Sequence, residues 1–373
     1  MSFSGNFFCQ APFTNIQSEE DSNKPCCEIN FSVPSKENYF KNPQLAKIKK
    51  ELFNGIAPIE CEKCIRTEKN SDQSLRKIIN SSFPERSKEI TTPDYFNIKD
   101  IFLVTSNICN LKCLPCEDSS FIRDRERHQL GLIKNIPIII RNNTNYNIFD
   151  SGGIETLTLS GGEPFYDPET FKVLEFLIQE NKSKNITLDI NTNLTKIKET
   201  TLVWLRDNFK HVIIKASIDG VGPVNEYLRY PLKWKKVEES IEKIQKFPEI
   251  GLLVTTALSN LSLIHYHELI DWCLEKKIRD IFITPVDDVD ELHYLNLPDN
   301  VKENLKNILN KKLQINGIND SYIRCINLIL NSIENSTKFK PTELKKYLNI
   351  HDKHRNTDYK TVFPEIAWIE KYN

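Results

Sequence analysis

The chain is poor in everything that would place it in or through a membrane. No apolar run approaches transmembrane length, and the start, Met-Ser-Phe-Ser-Gly-Asn, has neither the basic nor the apolar region of a secretory signal. It also lacks a net charge of either sign. Lys and Arg number 50 against 51 Asp and Glu, so no global field favours nucleic acid or a membrane surface. The one short basic stretch, Arg123-Asp-Arg-Glu-Arg127, alternates in sign, which makes nucleic acid an unfavoured partner. Met occurs once beside abundant Lys, Asn and Ile, a bias of codon composition rather than chemistry. No internal repeat or low-complexity tract is evident. A cytoplasmic location is the expectation. Ten cysteines in a reducing compartment are poor disulfide candidates, and their grouping in close pairs and a triplet points to metal.

At 373 residues the chain is long enough for one large domain with a smaller one attached. Short runs rich in Ile, Val, Leu, Phe and Thr at Ile101–Thr105, Thr156–Leu159, Ile186–Asn191, His211–Ile218, Gly251–Ala257 and Ile281–Pro285 read as strands. Apolar residues three and four apart between them predict helices, clearest at Pro168–Glu180, Trp234–Lys246 and Leu263–Lys276. Six such units predict an α/β fold, a parallel sheet curled with its helices outside. Residues 299–338 read as polar helix without a role.

Cys109, Cys113 and Cys116 follow the first of these strands as Cys-Asn-Leu-Lys-Cys-Leu-Pro-Cys, and Ser160-Gly161-Gly162-Glu163-Pro164 closes the second. Three thiolates on one loop hold three irons of a four-iron cluster and leave the fourth open to a ligand. A structural zinc site is the plain alternative, and it would want a fourth ligand nearby. The spacing followed by Gly-Gly-Glu-Pro resembles the radical S-adenosylmethionine (SAM) enzymes over roughly residues 100–290. The resemblance implies a partial (β/α)6 barrel, a [4Fe-4S] cluster on Cys109, Cys113 and Cys116, and SAM bound at the open iron. It further implies reductive cleavage of SAM to a 5′-deoxyadenosyl radical that removes a hydrogen atom from substrate, with the cofactor supplying the reactivity and the protein the placement.

The implied SAM contacts are Gly161 and Gly162, whose missing Cβ atoms admit the methionyl amine, then Glu163 and Pro164 at that strand end, followed by Asn193, Ser217, Asp219 and Arg229. Thr192-Asn193-Leu194 is similar to a Thr-Asn-Gly of the family, although Asn193 equally suits a turn. Ser217 and Asp219 alternate with apolar neighbours and would face the barrel interior, and Arg229 would meet the SAM carboxylate with its fork. Asn225-Glu226 replaces a common His-Asp. Pro115 replaces the aromatic residue that packs on adenine in most members, which shifts that packing to Pro115 itself or to Ile283–Val286. No further catalytic residue is assigned.

Four more thiols stand near the amino terminus. Cys9 lies in Phe-Cys-Gln-Ala-Pro-Phe, Cys26 in Pro25-Cys26-Cys27 after a polar turn, and Cys61 and Cys64 follow a helix over Leu45–Phe53. Together they can close a cluster completely or, as a ribbon, hold one zinc. The layout, with Cys64-Ile-Arg-Thr-Glu68 and Gln73-Ser74-Leu-Arg76, resembles the auxiliary twitch or SPASM-type module, set before the barrel. The hairpin glycine usual there is absent, so Asp21, Ser22 and Asn23 are expected to make the turn. Cys26, after Pro25, is the expected ligand, and Cys27, Cys273 and Cys325 are expected to be buried apolar residues. The tail, Leu348 to Arg355 and Phe363-Pro364-Glu365, is similar to the same group, with Asp352 and Arg355 as an ion pair, a substrate mouth or a solvated turn.

The domain order expected is an auxiliary module over 1–95, the radical SAM partial barrel over 96–298 and a helical extension over 299–373. The resemblance implies an oxidoreductase with two [4Fe-4S] clusters, the auxiliary one accepting an electron, that modifies a peptide or protein side chain. It also implies an electron donor such as flavodoxin or ferredoxin. A small-molecule substrate, a sugar or nucleoside, and a non-catalytic iron-sulfur or zinc interaction protein are the other readings.

Overall fold

The computed structural model describes residues 7–19, 21–70, 74–117, 120–141, 146–150, 153–315, 318–334 and 339–372. Gln73 of the amino-terminal motif and residues 316–317 and 335–338 of the expected polar helix lie outside them. The chain forms two compact units that interleave along the sequence. One comprises Met1–Asn107, Ile140–Asp189 and Asn208–His211, the other Ile108–Ile139, Ile190–Asp207 and Val212–Asn373.

In the first unit, β1 (Asn15–Glu19) and β2 (Ser22–Lys24) form an antiparallel hairpin to which β3 (Val33–Pro34) adds. β4 (Asp100–Val104) lies parallel to β1, and β5 (Thr156–Ser160) parallel to β4. β6 (Thr187–Thr192) follows, giving the order β3-β2-β1-β4-β5-β6. The amino-terminal hairpin therefore extends the parallel sheet. Its first strand, Asn-Ile-Gln-Ser-Glu, is too polar to read as one from sequence, and its partner β4 supplies the pairing. Ser22 and Asn23 are strand residues opposite Glu19 and Ser18, not turn residues as expected, because the hairpin turns more tightly, with Asp21 in the turn. The helix Pro43–Phe53 starts two residues before its expected position, where the Asn42 side chain accepts from the amides of Gln44 and Leu45. Asp167 does the same for Pro168–Gln179.

The second half of β6 belongs to the second unit, whose further strands are β7 (His211–Ser217), β8 (Ile250–Leu258) and β9 (Asp280–Pro285). β7, β8 and β9 are mutually parallel, with Ser217 opposite Thr255 and Val254 opposite Ile281. Burial alternates along β4 and β5 in the first unit and along β7 in the second, so each of these strands buries one of its sides more deeply than the other. The fold is α/β, with the parallel sheet that the strand-helix alternation predicts. The expected helix 263–276 is instead two, Asn260–Ile264 and Tyr266–Glu275. A reciprocal cap between Ser259 and Ser262 starts the first, and His265 leaves helical geometry. The polar helical stretch resolves into Asp299–Lys312 and Asp320–Glu334. The second covers β9: Tyr322 Oη donates to the Ile278 carbonyl at 2.6 Å and Ser321 Oγ accepts from the Ile281 amide at 3.2 Å. No helix among the described residues is long and apolar enough to cross a membrane.

Candidate functional site

In the second unit, the loop carrying the cysteine triplet is pinned by backbone pairing. The amides of Lys112 and Leu114 donate to the carbonyls of Tyr230 and Leu228, each at 2.7 Å, so Cys113 lies opposite Arg229. Arg229 Nη1 stands 4.0 Å from Cys113 Sγ. Its remaining nitrogens are engaged by buried Asp219: Nη2 donates to Oδ1 at 3.0 Å, and Nε lies 2.8 Å from Oδ2 as an ion-pair contact. The bidentate fork expected to meet a SAM carboxylate thus faces Asp219, because a buried guanidinium needs a permanent counter-charge. Burial opposes the charge on Arg229, yet Asp219 and the Cys113 sulfur hold its pKa above the ordinary value. Asp219 also accepts from the Ala257 amide at 2.9 Å, and Asn225 Oδ1 accepts from the Asp219 amide at 2.9 Å. Glu226 accepts from the Trp234 amide at 2.8 Å. Asn225 and Glu226 are therefore scaffold.

Asn193 makes a turn and reaches the cysteine loop. Its Oδ1 accepts from the Thr195 amide at 3.0 Å, which makes the turn, while Nδ2 lies 3.8 Å from Cys109 Sγ. Leu194 takes φ +68°, the conformation a glycine would adopt there, and is fully buried in compensation. Ser217, half-buried, ends β7. Burial raises the Cys113 and Cys116 thiols, and the Arg229 charge opposes this at Cys113.

In the first unit, Gly161 ends β5 at φ +117°, and a Cβ there would come within 2.5 Å of the Ser106 carbonyl oxygen and 2.9 Å of Val104 Cγ1. The adjacent Gly162 amide donates to that same carbonyl at 2.9 Å. Glu163 is buried and accepts from the Phe165 amide at 3.1 Å, and Pro164 is buried beside it. Asp167 accepts from Thr105 Oγ1 and Ser106 Oγ, both at 2.7 Å, locking this turn to the end of β4. Gly161→Ala is expected to destabilise the protein by roughly 2–4 kcal/mol, from positive-φ strain added to the backbone clash, read as a lowered denaturation midpoint.

The amino-terminal thiols meet in the same unit. Cys9, Cys26, Cys61 and Cys64 line one cavity together with Glu28 and Arg76. Cys26 points into it, whereas Cys27 is exposed rather than buried as expected, since the pair sits in a turn after β2 that sends the two side chains apart. Cys273 and Cys325 are buried. Burial pushes the Cys9, Cys26 and Cys61 thiols up to about 12, and raises Cys64 as well. Arg76 explains the Glu68 and Ser74 of the motif. Its Nε and Nη2 fork onto Glu68 at 2.9 and 2.5 Å, Ser74 Oγ donates to Glu68 at 2.5 Å, and Nη1 donates to the Phe8 carbonyl at 2.8 Å beside Cys9.

Residues 103–273 match the family model described as the radical SAM superfamily. Over this stretch the chain is similar to the radical SAM superfamily. Among solved structures, native anSMEcpe with bound AdoMet is similar at 19% identity and a TM-score of 0.44, over 58% of this chain and 61% of that one. Streptococcus suis SuiB bound to S-adenosylmethionine is similar at 16% identity and a TM-score of 0.40, over 80% and 70%. SuiB bound to its precursor peptide SuiA gives 16% and 0.40, over 72% and 60%. The match thus spans about three fifths of the first neighbour's length. No curated protein sequence matches the chain.

Behind the cysteine loop lies a buried charge network that sequence reading missed. The Arg123–Arg127 stretch showed only alternating signs in the sequence, but Arg123 and Glu126 are buried, at 1% and 0% exposure. Glu126 accepts from Arg123 Nη1 at 2.7 Å and from Arg355 Nε and Nη2 at 2.9 and 2.5 Å. Arg355 therefore pairs with Glu126 and not with Asp352, which instead accepts from Thr357 Oγ1 and the Tyr359 amide, ending its own helix, Pro341–Arg355. His351 Nδ1 donates to the Tyr347 carbonyl at 2.8 Å, so its Nε2 must accept from Arg123 Nη1 at 2.9 Å. Burial, then the Arg123 charge, hold His351 neutral with a pKa of about 3. A helical i, i+4 spacing of His351 and Arg355 is the signal that could have found the carboxyl-terminal half of this network.

Proposed function

We propose that the protein is a radical SAM enzyme that oxidatively modifies a peptide or protein side chain. On this reading Cys109, Cys113 and Cys116 hold a SAM-binding [4Fe-4S] cluster. Cys9, Cys26, Cys61 and Cys64 hold a second, auxiliary one within a module of residues 1–95, ahead of the barrel over 96–298 and the extension over 299–373. The observation that carries it is the meeting of four thiols, from three separate stretches of chain, in one cavity of a protein that also matches the radical SAM family model.

The donor set fits iron-sulfur chemistry. Buried thiols with pKa values pushed to about 12 stay protonated unless a cation is present to stabilise the thiolates. Each thiolate of a four-iron cluster binds its own iron, so four thiols lining one cavity match its needs. When bound, the cluster and SAM supply a 5′-deoxyadenosyl radical that abstracts hydrogen from substrate. The chain's part is placement. Gly161 and Gly162 offer close backbone approach to the methionyl amine, with Glu163 and Pro164 shaping that turn. Arg229, its fork held by Asp219 and its Nη1 beside Cys113 Sγ, would place a fixed charge at the cluster, while Asn193 and Ser217 would contribute polar groups. A flavodoxin or ferredoxin delivers the first electron.

The test is the double variant Cys61→Ala/Cys64→Ala in reconstituted, full-length protein. Wild type is expected to bind iron for two clusters, and the variant about half as much, while retaining 5′-deoxyadenosine formation and losing oxidised product. Zinc at the amino-terminal site, with one cluster's iron in wild type, would sink the auxiliary-cluster reading.

A further inference from the structure

Lys112 and Leu114, on either side of Cys113, have all four of their backbone polar groups bonded. Their amides go to Tyr230 and Leu228. Their carbonyls face the other way, toward the carboxyl-terminal helix: Arg355 Nη2 donates to Lys112 O at 2.6 Å, and Arg123 Nη2 and Tyr347 Oη donate to Leu114 O at 3.2 and 3.4 Å. Arg355 also lies over the Tyr230 ring, 5.1 Å from its centroid, so one guanidinium touches both strands of the pairing that frames Cys113. It is only 6% exposed, and Glu126 at 0% exposure holds its fork. A single side chain from residue 355 thus fixes a loop some 240 residues earlier in sequence, beyond the stretch that matches the family model.

We propose that Arg355 is a positioning residue for the cluster on the triplet. It fixes Cys113 through the Lys112 carbonyl and Tyr230, and places a permanent positive charge behind the loop. The charge favours the reduced, more negative cluster and so raises its reduction potential, while the fixed loop slows loss of iron. This rests on the reading of Cys109, Cys113 and Cys116 as a cluster site.

The experiment compares full-length Arg355→Met and Arg355→Lys with wild type. Three quantities are measured: iron loss to a chelator, the midpoint potential of the triplet cluster in the Cys61→Ala/Cys64→Ala background, and amide exchange of residues 109–117 in metal-free protein. Arg355→Met is expected to lose triplet iron about tenfold faster or more, to show a more negative potential, and to exchange faster in that loop but not in the β1–β2 hairpin. Arg355→Lys keeps the charge and should recover the potential. It should still lose iron faster than wild type, because an ammonium cannot hold Glu126, Lys112 O and the Tyr230 face at once. Unchanged iron loss and potential in Arg355→Met overturn the proposal. Should that variant fail to fold, Arg355→Lys decides: faster iron loss at wild-type potential supports it, and unchanged iron loss overturns it. Absence of iron on the wild-type triplet would instead refute the cluster reading itself, a result distinct from either.

Discussion

Alanine at Cys109, Cys113 and Cys116 together is expected to abolish 5′-deoxyadenosine formation from SAM and to leave about half the iron of wild type, held by the amino-terminal thiols. The three sulfurs are carried by one loop. Loop-internal bonds from the Leu111 amide to Cys109 Sγ at 3.4 Å and from the Cys116 amide to the Cys113 carbonyl at 3.2 Å shape it as a unit. Cys113→Ala alone is expected to match the triple variant in SAM cleavage, since two thiolates do not hold the cluster. Iron analysis and chromatographic detection of 5′-deoxyadenosine, run side by side, check both parts. Cleavage that persists in the triple variant would exclude the loop as the SAM-activating site.

Glu126→Gln is expected to destabilise the metal-free protein by about 3–5 kcal/mol, the usual cost of stranding a buried charge by removing its partner. Two guanidiniums, from Arg123 and Arg355, converge on this one fully buried carboxylate, and His351 is neutral and already accepts from Arg123. A neutral amide leaves the two cations facing one another. Denaturant midpoints of wild type and variant at pH 7 measure the effect, and a change under 1 kcal/mol would mean that water enters and screens the network. The same loss can be driven by acid. Burial opposes ionisation of Glu126, but Arg355 and Arg123 outweigh it and hold the pKa at about 2. A depressed carboxylate contributes its stability above the unfolded value near 4.5, and that contribution falls away as pH drops from there toward 2. Wild type should therefore lose stability more steeply across this window than Glu126→Gln does.

The sequence by itself determined the α/β architecture, since hydrophobic alternation every second residue on strands and every three or four on helices reports which face each element buries, and that depends only on local geometry. It likewise singled out the triplet Cys109, Cys113 and Cys116, because spacing within a loop is a short-range property, whereas Cys9, Cys26, Cys61 and Cys64 come from three stretches and were grouped through the resemblance. What it could not determine are the partnerships made across long stretches of chain. Strand β1 is polar and forms because β4 offers an edge. Arg229 was expected to turn its fork on a SAM carboxylate and is committed to Asp219, while Arg123 and Glu126, read only as a stretch of alternating sign, are the buried support of the cysteine loop. The sign and spacing of charged residues carry no mark of burial. Whether a charge is solvated or paired depends on which distant element packs over it, and here a helix ending at Arg355 decides that for the loop around Cys113, a choice that only the tertiary structure makes.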